Sequence, residues 1–458
     1  MISPMFAGSL APFLAILWFS STGLTSPFAG SAPSLAPAID SPNPWFPLAR
    51  YDRTMTRAEF EEGVRLYDPF HGLAPYMEID DAGVTLYPSP TDHRVPQFHL
   101  SFAPDAATAK AAPLLYRTPE QFRALRRSET KPLAGLRIAV DPGHIGGEWG
   151  QVEDRSIYYF GIGRIQEGDM NLITAGILKQ RLTDLGAEVF LTRHDTEPVT
   201  SVRPEQLREE AIETMIQMRP ELAGLSPERQ RQIIEAMPSR IELMTHLLFE
   251  RKYEFLARGS KIRQEFNPDL TVVLYINATP SSGRGHLVGV NQNIFFVDGA
   301  FSAAEVALDD ERERLFYKVL DRVSPVEYEV AATIAGAFKR TTGLGPVEYG
   351  DSPTTRLIDP NNFYVVARNL GANRQYDGPV VTTEPFFMNN RTTAERLEAG
   401  DYEGERLFDG HSYPSIFREY ADCVVQGLLE SYGGVQPPAP EPKMAANPAP
   451  APTPTTPE

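Results

Sequence analysis

Leu136, Ile138 and Val140 alternate with Arg137 and Ala139, and the run then gives way to Asp141-Pro142-Gly143-His144. Alternation of this kind predicts a strand, and Pro with Gly ends its pairing and turns the chain. The same pattern of apolar runs predicts further strands at AEVFLTR (187–193), TVVLYIN (271–277), NIFFV (293–297) and PVVTTE (379–384). Between them the apolar positions change to helical spacing. Leu172, Ile173, Gly176, Ile177 and Leu182 follow Asp169, an expected N-cap, and Gly186 is placed to end that helix. Two more helices are expected around Val326–Arg340 and Pro414–Tyr432. Strand and helix in alternation predict an α/β fold with a largely parallel sheet.

The periodicity also divides the chain. Residues 203–265 read as helices alone, with Ser226-Pro227 as a cap followed by proline at the first helical position, so they form a helical insertion in the α/β domain. Its apolar residues Met237, Met244, Leu247, Leu248 and Phe249 suit a lid docked over a crevice. Ahead of the domain, residues 43–130 hold short strand-like runs at 84–87 and 98–102 and a helix near Arg57–Tyr67, the pattern of a small N-terminal subdomain. Residues 1–31 are apolar and then rich in small residues, as an export signal is, although Lys and Arg are absent before Arg50. The tail 436–458 is Pro/Ala/Thr-rich and is expected to be disordered. No stretch beyond the signal is apolar and long enough to span a bilayer, so no stable membrane span is expected once the signal is removed.

Charge and cysteine content narrow the chemistry. A formal net charge of −17 argues against nucleic acid as a partner, because like charges repel. Cys423 is the single cysteine, which excludes an internal disulfide and a cysteine-based metal site. A metal would have to be held by His, Asp, Glu or Tyr. The candidates are polar groups at the ends of apolar strands and at a helix start: His144, Glu167, the Asn277–His286 region and Glu384. Strand ends of an open α/β sheet gather along one edge and form a crevice. A histidine and carboxylates there suit Zn²⁺, which takes imidazole and carboxylate ligands and keeps one position open for water. The same residues, taken singly, also serve as loop histidines and helix caps, and their spacing alone does not choose between these roles.

Five segments in order carry a resemblance that does choose. IAVDPGH, QEGDMNLITAGILKQRLTDLGAEVFLTR, FLARGSKIRQEFNPDLTVVLYINA, VVTTEPFFMNN and a closing helix ending GLLESYG resemble the zinc-dependent N-acetylmuramoyl-L-alanine amidases of the cell-wall amidase family. The likeness spans about 136 to 433, interrupted by the insertion, and implies a catalytic domain over 136–435 with a mixed sheet flanked by helices. It places His144 and Glu167 at zinc-ligand positions, Glu384 at the catalytic glutamate and Asp141 as support for the histidine loop. It further implies Zn²⁺ as cofactor, peptidoglycan as substrate, hydrolysis of the N-acetylmuramoyl-L-alanine amide bond, and a periplasmic or secreted location.

The chain departs from the family at the third ligand. The family's strand ends in His-x-Asn-x, whereas here it reads Tyr275-Ile276-Asn277-Ala278. A turn centred between Pro280 and Ser281 would set His286 opposite Tyr275, and directly opposed residues have Cβ atoms about 4.5–5.5 Å apart. His286 is therefore the expected replacement ligand, with Tyr275 as neighbour or oxygen ligand. The alternative is a degenerate amidase that binds peptidoglycan or regulates another enzyme without cutting.

Overall fold

The computed structural model describes residues 45–125, 128–281, 283–349 and 354–436. The export segment expected at 1–31, and all of the tail expected at 436–458 except its first residue, lie outside them. The strands, in chain order, are β1 (Met77–Ile79), β2 (Gly83–Leu86), β3 (Phe98–Ser101), β4 (Arg137–Pro142), β5 (Ser156–Tyr159), β6 (Gly163–Gln166), β7 (Glu188–Leu191), β8 (Leu270–Leu274), β9 (Ile294–Val297), β10 (Thr355–Leu357), β11 (Val365–Arg368), β12 (Val380–Glu384), β13 (Glu405–Phe408) and β14 (His411–Pro414).

Seven of these form the main sheet, in the order β10-β11-β9-β12-β8-β4-β7. β7, β4, β8 and β12 run parallel to one another, β9 is antiparallel to β12 but parallel to β11, and β10 closes the edge antiparallel to β11. The sheet is thus mixed and largely parallel. Both of its faces are covered, which is why its strands read as apolar almost throughout. Ile138, Val140, Val272, Leu274, Phe295 and Val297 face helices Glu167–Asp184, Val323–Thr342 and Ile416–Ser431. The alternate positions Ala139, Val273 and Val380 face Ile262, Ala372 and Tyr376 on the other side. Each buried Val, Ile, Leu or Phe contributes about 1.5–3 kcal/mol, so this two-sided burial dominates the stability of the sheet.

Helix Glu167–Asp184 begins two residues before the expected cap. Gln166 is its N-cap and makes no side-chain cap hydrogen bond, while Asp169 lies in the first turn. Asp169 is drawn off by loop partners, accepting from Gly147 N at 2.8 Å and from Gln166 Nε2 at 2.8 Å. The helix ends as the sequence suggests, with Gly186 at φ 94° just beyond Leu185. Ser226 is an N-cap, its side chain accepting from Arg229 N ahead of helix Pro227–Glu235.

Within 203–265 every secondary-structure element is a helix, and the helices divide in two by packing. Leu207, Ala211, Ile212, Met215, Leu222, Ile234, Ile241, Met244, Leu248 and Phe249 form a cluster of their own, which Ile145 joins from the main domain. Helix Phe255–Glu265 instead packs on the sheet through Ile262. β1–β3 form a separate three-stranded sheet, yet Trp45, Phe60, Val84 and Leu100 belong to the same apolar core as the main sheet. No helix among the described residues is long and apolar enough to cross a membrane.

Candidate functional site

The three central strands end level. Pro142 of β4 and Thr383 of β12 both pair with Leu274 of β8, so Gly143, Tyr275 and Glu384, one residue further on, share one edge. Gly143 N donates to Leu274 O at 2.8 Å and Tyr275 N to Thr383 O at 2.9 Å, which carries the registration past the strands themselves. Gly143 is needed because a Cβ there would collide with the Tyr275 ring and with Leu274 O.

His144 follows with φ 55°, the left-handed region that L residues avoid at a cost of about 1–3 kcal/mol. Its neighbours hold it there. Arg258 Nη2 donates to His144 O and Arg258 Nη1 to Pro142 O, each at 3.0 Å, while Ile145 N donates to Glu153 Oε2 at 2.8 Å. Arg258 is in turn fixed by Asp141 at 3.0 Å and Glu254 at 2.8 Å. Asp141 also accepts from Tyr376 Oη at 2.6 Å and from Thr192 Oγ1. Asp141 therefore reaches the histidine loop through Arg258. Arg193, after β7, donates to Pro142 O at 3.2 Å and Gly168 O at 3.1 Å, tying the loop to the start of helix Glu167–Asp184.

Carboxylates surround the His144 imidazole on both sides. Nε2 lies 3.3 Å from Glu167 Oε2; Nδ1 lies 3.5 Å from Glu153 Oε1 and 3.4 Å from Glu250 Oε1. All four residues are buried. Burial alone would discharge the ring, but Glu167, Glu153 and Glu250 outweigh it and raise the imidazole to about 9. Arg155 Nε lies 3.1 Å from His144 Nε2 and 3.6 Å from Glu167 Oε2. Arg155 Nε donates to His144 Nε2 when that nitrogen carries no proton; when the ring is charged, both groups face Glu167 Oε2. Glu167 is anchored through its other oxygen, which accepts from Ile276 N at 3.1 Å.

Glu250 comes from the insertion. It sits on a π-helical turn, Phe249–Glu254, a wide turn of the kind often found at functional sites. The turn aims Glu250 at His144 and Glu254 at Arg258. Burial raises the Glu250 carboxyl, but the His144 hydrogen bond and the charges of Arg251, His144 and Arg155 hold it below the usual carboxylate range. Glu384, 3% exposed, takes the opposite course. Burial pushes it up, Arg368 opposes this, Glu167 adds to it, and the result is about 7.

The expected hairpin pairing of His286 with Tyr275 is corrected. β8 lies between β4 and β12 and is hydrogen-bonded along both edges, so no returning strand can pair beside Tyr275. The chain after 281 instead leads to Val288, which bridges Asn390, and His286 is exposed. Tyr275 does reach His144, but as a ring contact, edge-on with centroids 5.1 Å apart. Burial and the nearby Asp141 charge push its phenol well above its ordinary value.

Whether the residues fit a metal depends on which set is considered. The side of His144 facing Glu167 is occupied by the Arg155 guanidinium. On the other side His144, Glu153 and Glu250 bring one ligand atom each within 4.8 Å of one another. An imidazole and two carboxylates suit zinc, and this group could hold a metal. Glu153, Glu250 and Arg155 carry no motif that singles them out. The available signal was weak: two acidic residues and an arginine, Glu153-Asp154-Arg155, in the loop after a strand-end histidine.

No protein-family model matches the chain, and no curated protein is significantly similar to it. Among solved structures it is similar to the apo form of the N-acetylmuramyl-L-alanine amidase Ami1 from Mycobacterium abscessus, at 15% identity and a TM-score of 0.34 over 65% of this chain and 99% of that one. It is likewise similar to the CwlD amidase from Clostridioides difficile in complex with the GerS lipoprotein, at 15% identity, TM-score 0.33, over 65% and 98% of the two chains. A third is the N-acetylmuramoyl-L-alanine amidase AmiC2 of Nostoc punctiforme, at 14% identity, TM-score 0.31, over 65% and 97%. Likeness at this level leaves the chemistry of the site to be argued from its own residues.

Proposed function

We propose that the chain is an exported, zinc-dependent amidase that hydrolyses the bond between the lactyl group of N-acetylmuramic acid and L-alanine in peptidoglycan. The observation that carries this reading is Glu384, a buried carboxyl raised to about 7 at the strand edge it shares with the His144 cluster. A general base works best when its pKa lies near the working pH, and buried carboxyls are raised for that purpose. The ordered motifs around His144, Glu167 and Glu384 supply the substrate class.

His144, Glu153 and Glu250 are the residues that would hold the metal, with Glu167 on the opposite side of the imidazole. A bound divalent ion supplies Lewis acidity toward the amide carbonyl. Glu384, ionised, accepts a proton from the water that attacks the carbonyl carbon. It then delivers that proton to the nitrogen as the C–N bond breaks, leaving the lactyl carboxylic acid, which ionises to solvent, and the free amine of L-alanine. Arg258 and Arg193 hold the His144 loop in its strained conformation while this occurs.

A second reading is favoured by Arg155 and Tyr275. A guanidinium facing His144 and Glu167, with a phenol in place of an imidazole at the family's third-ligand position, describes a site held together by its own charges. In that case the domain binds peptidoglycan without cutting it. Metal analysis of the purified protein, combined with digestion of muropeptides, separates the two. Stoichiometric zinc with release of stem peptides supports the amidase; metal-free protein that releases none establishes the degenerate form.

A further inference from the structure

The β5–β6 hairpin stands with both feet in the candidate site. Ser156 follows Arg155, Gln166 precedes Glu167, and the two are paired across the hairpin. Its inner face is packed away through Ile157, Tyr159 and Ile165. Its outer side is the reverse of a normal solvent face: Tyr158 is 61% exposed and Phe160, at the turn, 89% exposed. Directly opposite Tyr158 lies Arg164, exposed, donating to Ser156 Oγ at 3.0 Å and without a carboxylate partner among the described residues. The hairpin is braced, because Arg284 Nη2 donates to Ser156 O at 2.9 Å and Gly285 packs against Tyr158 O.

We infer that this hairpin is a glycan subsite, a platform on which the sugar strand of peptidoglycan lies as it runs to the His144 site. The inference rests on the peptidoglycan reading above, whether or not the chain cuts. Four strand residues raise the aromatic tip roughly 13 Å from its feet, so an occupant touching both tip and site is an extended polymer. A pyranose ring offers an apolar face of C–H bonds to a flat aromatic ring and hydroxyl and amide groups at its edge, and a muramic acid ring also carries a free lactyl carboxylate where its stem peptide has been removed. Phe160 and Tyr158 match the first, and Arg164, without a carboxylate partner among the described residues, can donate to the edge oxygens and most strongly to a free lactyl carboxylate, since guanidinium–carboxylate pairs are strong and directional. Two other occupants fit less well. A second copy of the chain would bury about 150–250 Å² per aromatic ring, which even doubled across two copies falls short of the roughly 1,200–2,000 Å² of a stable interface. An anionic bilayer is repelled by a chain of net charge −17.

The test uses the full chain and the double variant Tyr158→Ala/Phe160→Ala, measured in the cold by co-sedimentation with insoluble peptidoglycan and by binding to glycan strands stripped of stem peptides. Both side chains are exposed, so the circular dichroism spectrum stays unchanged. The expected result is that wild type binds both probes and the variant loses roughly tenfold in affinity for each, equivalent to about 1.4 kcal/mol. A variant with wild-type affinity overturns the subsite and leaves the peptidoglycan reading standing; if it also passes from dimer to monomer, the face belongs to a second copy. Wild type that binds intact peptidoglycan but no peptide-free strands assigns recognition to the stem peptide and overturns the subsite. Wild type that binds neither probe removes the subsite and the peptidoglycan reading together.

Discussion

At the scale of single residues, the chemistry turns on two carboxyls shifted in opposite directions. Glu250 lies among positive charges and stays ionised, while Glu384 lies in a dry position near Glu167 and is raised to about 7. Glu384→Gln keeps the volume and removes the base, so peptidoglycan turnover should fall by roughly 10²–10⁴-fold with zinc content unchanged. Near-normal turnover with zinc retained would take Glu384 out of the mechanism. His286→Ala should leave zinc content as it is, because His286 is exposed on a segment that does not return along β8; loss of zinc in that variant would restore it as a ligand. The positions of His144, Glu167 and Glu384 were legible because strand ends and a helix start announce themselves in the sequence. Glu250 was not, since it reaches His144 from an insertion about a hundred residues away on a turn whose π geometry no periodicity encodes. The hairpin expected after Tyr275 failed for a topological reason: the turn formers were present, but the strand they were to pair with had no free edge.

At the scale of elements, the insertion and the histidine loop are one packed unit. Ile145 completes the insertion's apolar cluster, the Phe249 ring lies 5.2 Å from Trp149 at centroid distance, and Glu250 reaches His144. An element fastened so directly to the site fixes where Glu250 stands against His144. Phe249→Ala removes a fully buried ring, a change that costs about 3–5 kcal/mol, and the loss falls on this cluster rather than on the sheet. Hydrogen–deuterium exchange should rise across 204–248 and stay low in β4, β8 and β12, and zinc content and turnover of whole cell wall should fall, because the loosened turn no longer holds Glu250 at His144. Faster exchange in 204–248 with unchanged zinc content and turnover would show that the packing of this cluster does not hold Glu250 in the site. The insertion's helical character was plain in the sequence. That its last helix, Phe255–Glu265, belongs to the sheet layer was not, because the residue that decides it, Ile262, has the same apolar signature as the insertion's own core.

At the scale of the whole molecule, the N-terminal segment and the α/β sheet share one core, and one of the groups that joins them titrates. Trp45 and Phe60 each pack against Phe316, with ring centroids 5.6 Å and 5.5 Å apart, while Tyr51 Oη donates to Asp321 Oδ1 at 2.7 Å and Tyr116 Oη to Asp321 O at 2.7 Å. Burial raises the Asp321 carboxyl to about 6 against the Tyr51 hydrogen bond, and burial raises Glu311, despite Arg374, to about 7. Both groups bind their protons more tightly when the chain is folded than when it is unfolded. Stability therefore falls with rising pH wherever the native state holds the extra proton. The contribution of these two groups is fully present below about pH 4, where both states are protonated, and is lost as the pH climbs through about 6 to 7. Asp321→Asn mimics the protonated acid, keeps an acceptor for Tyr51 and cannot ionise. Its melting temperature should match that of the wild type at low pH and exceed it at pH 8, in thermal melts of the full chain. A melting-temperature difference between variant and wild type that stays constant from low pH to pH 8 would mean that Asp321 does not ionise in the folded chain over that range, and would take the titration out of the junction between the N-terminal sheet and the domain that carries the site.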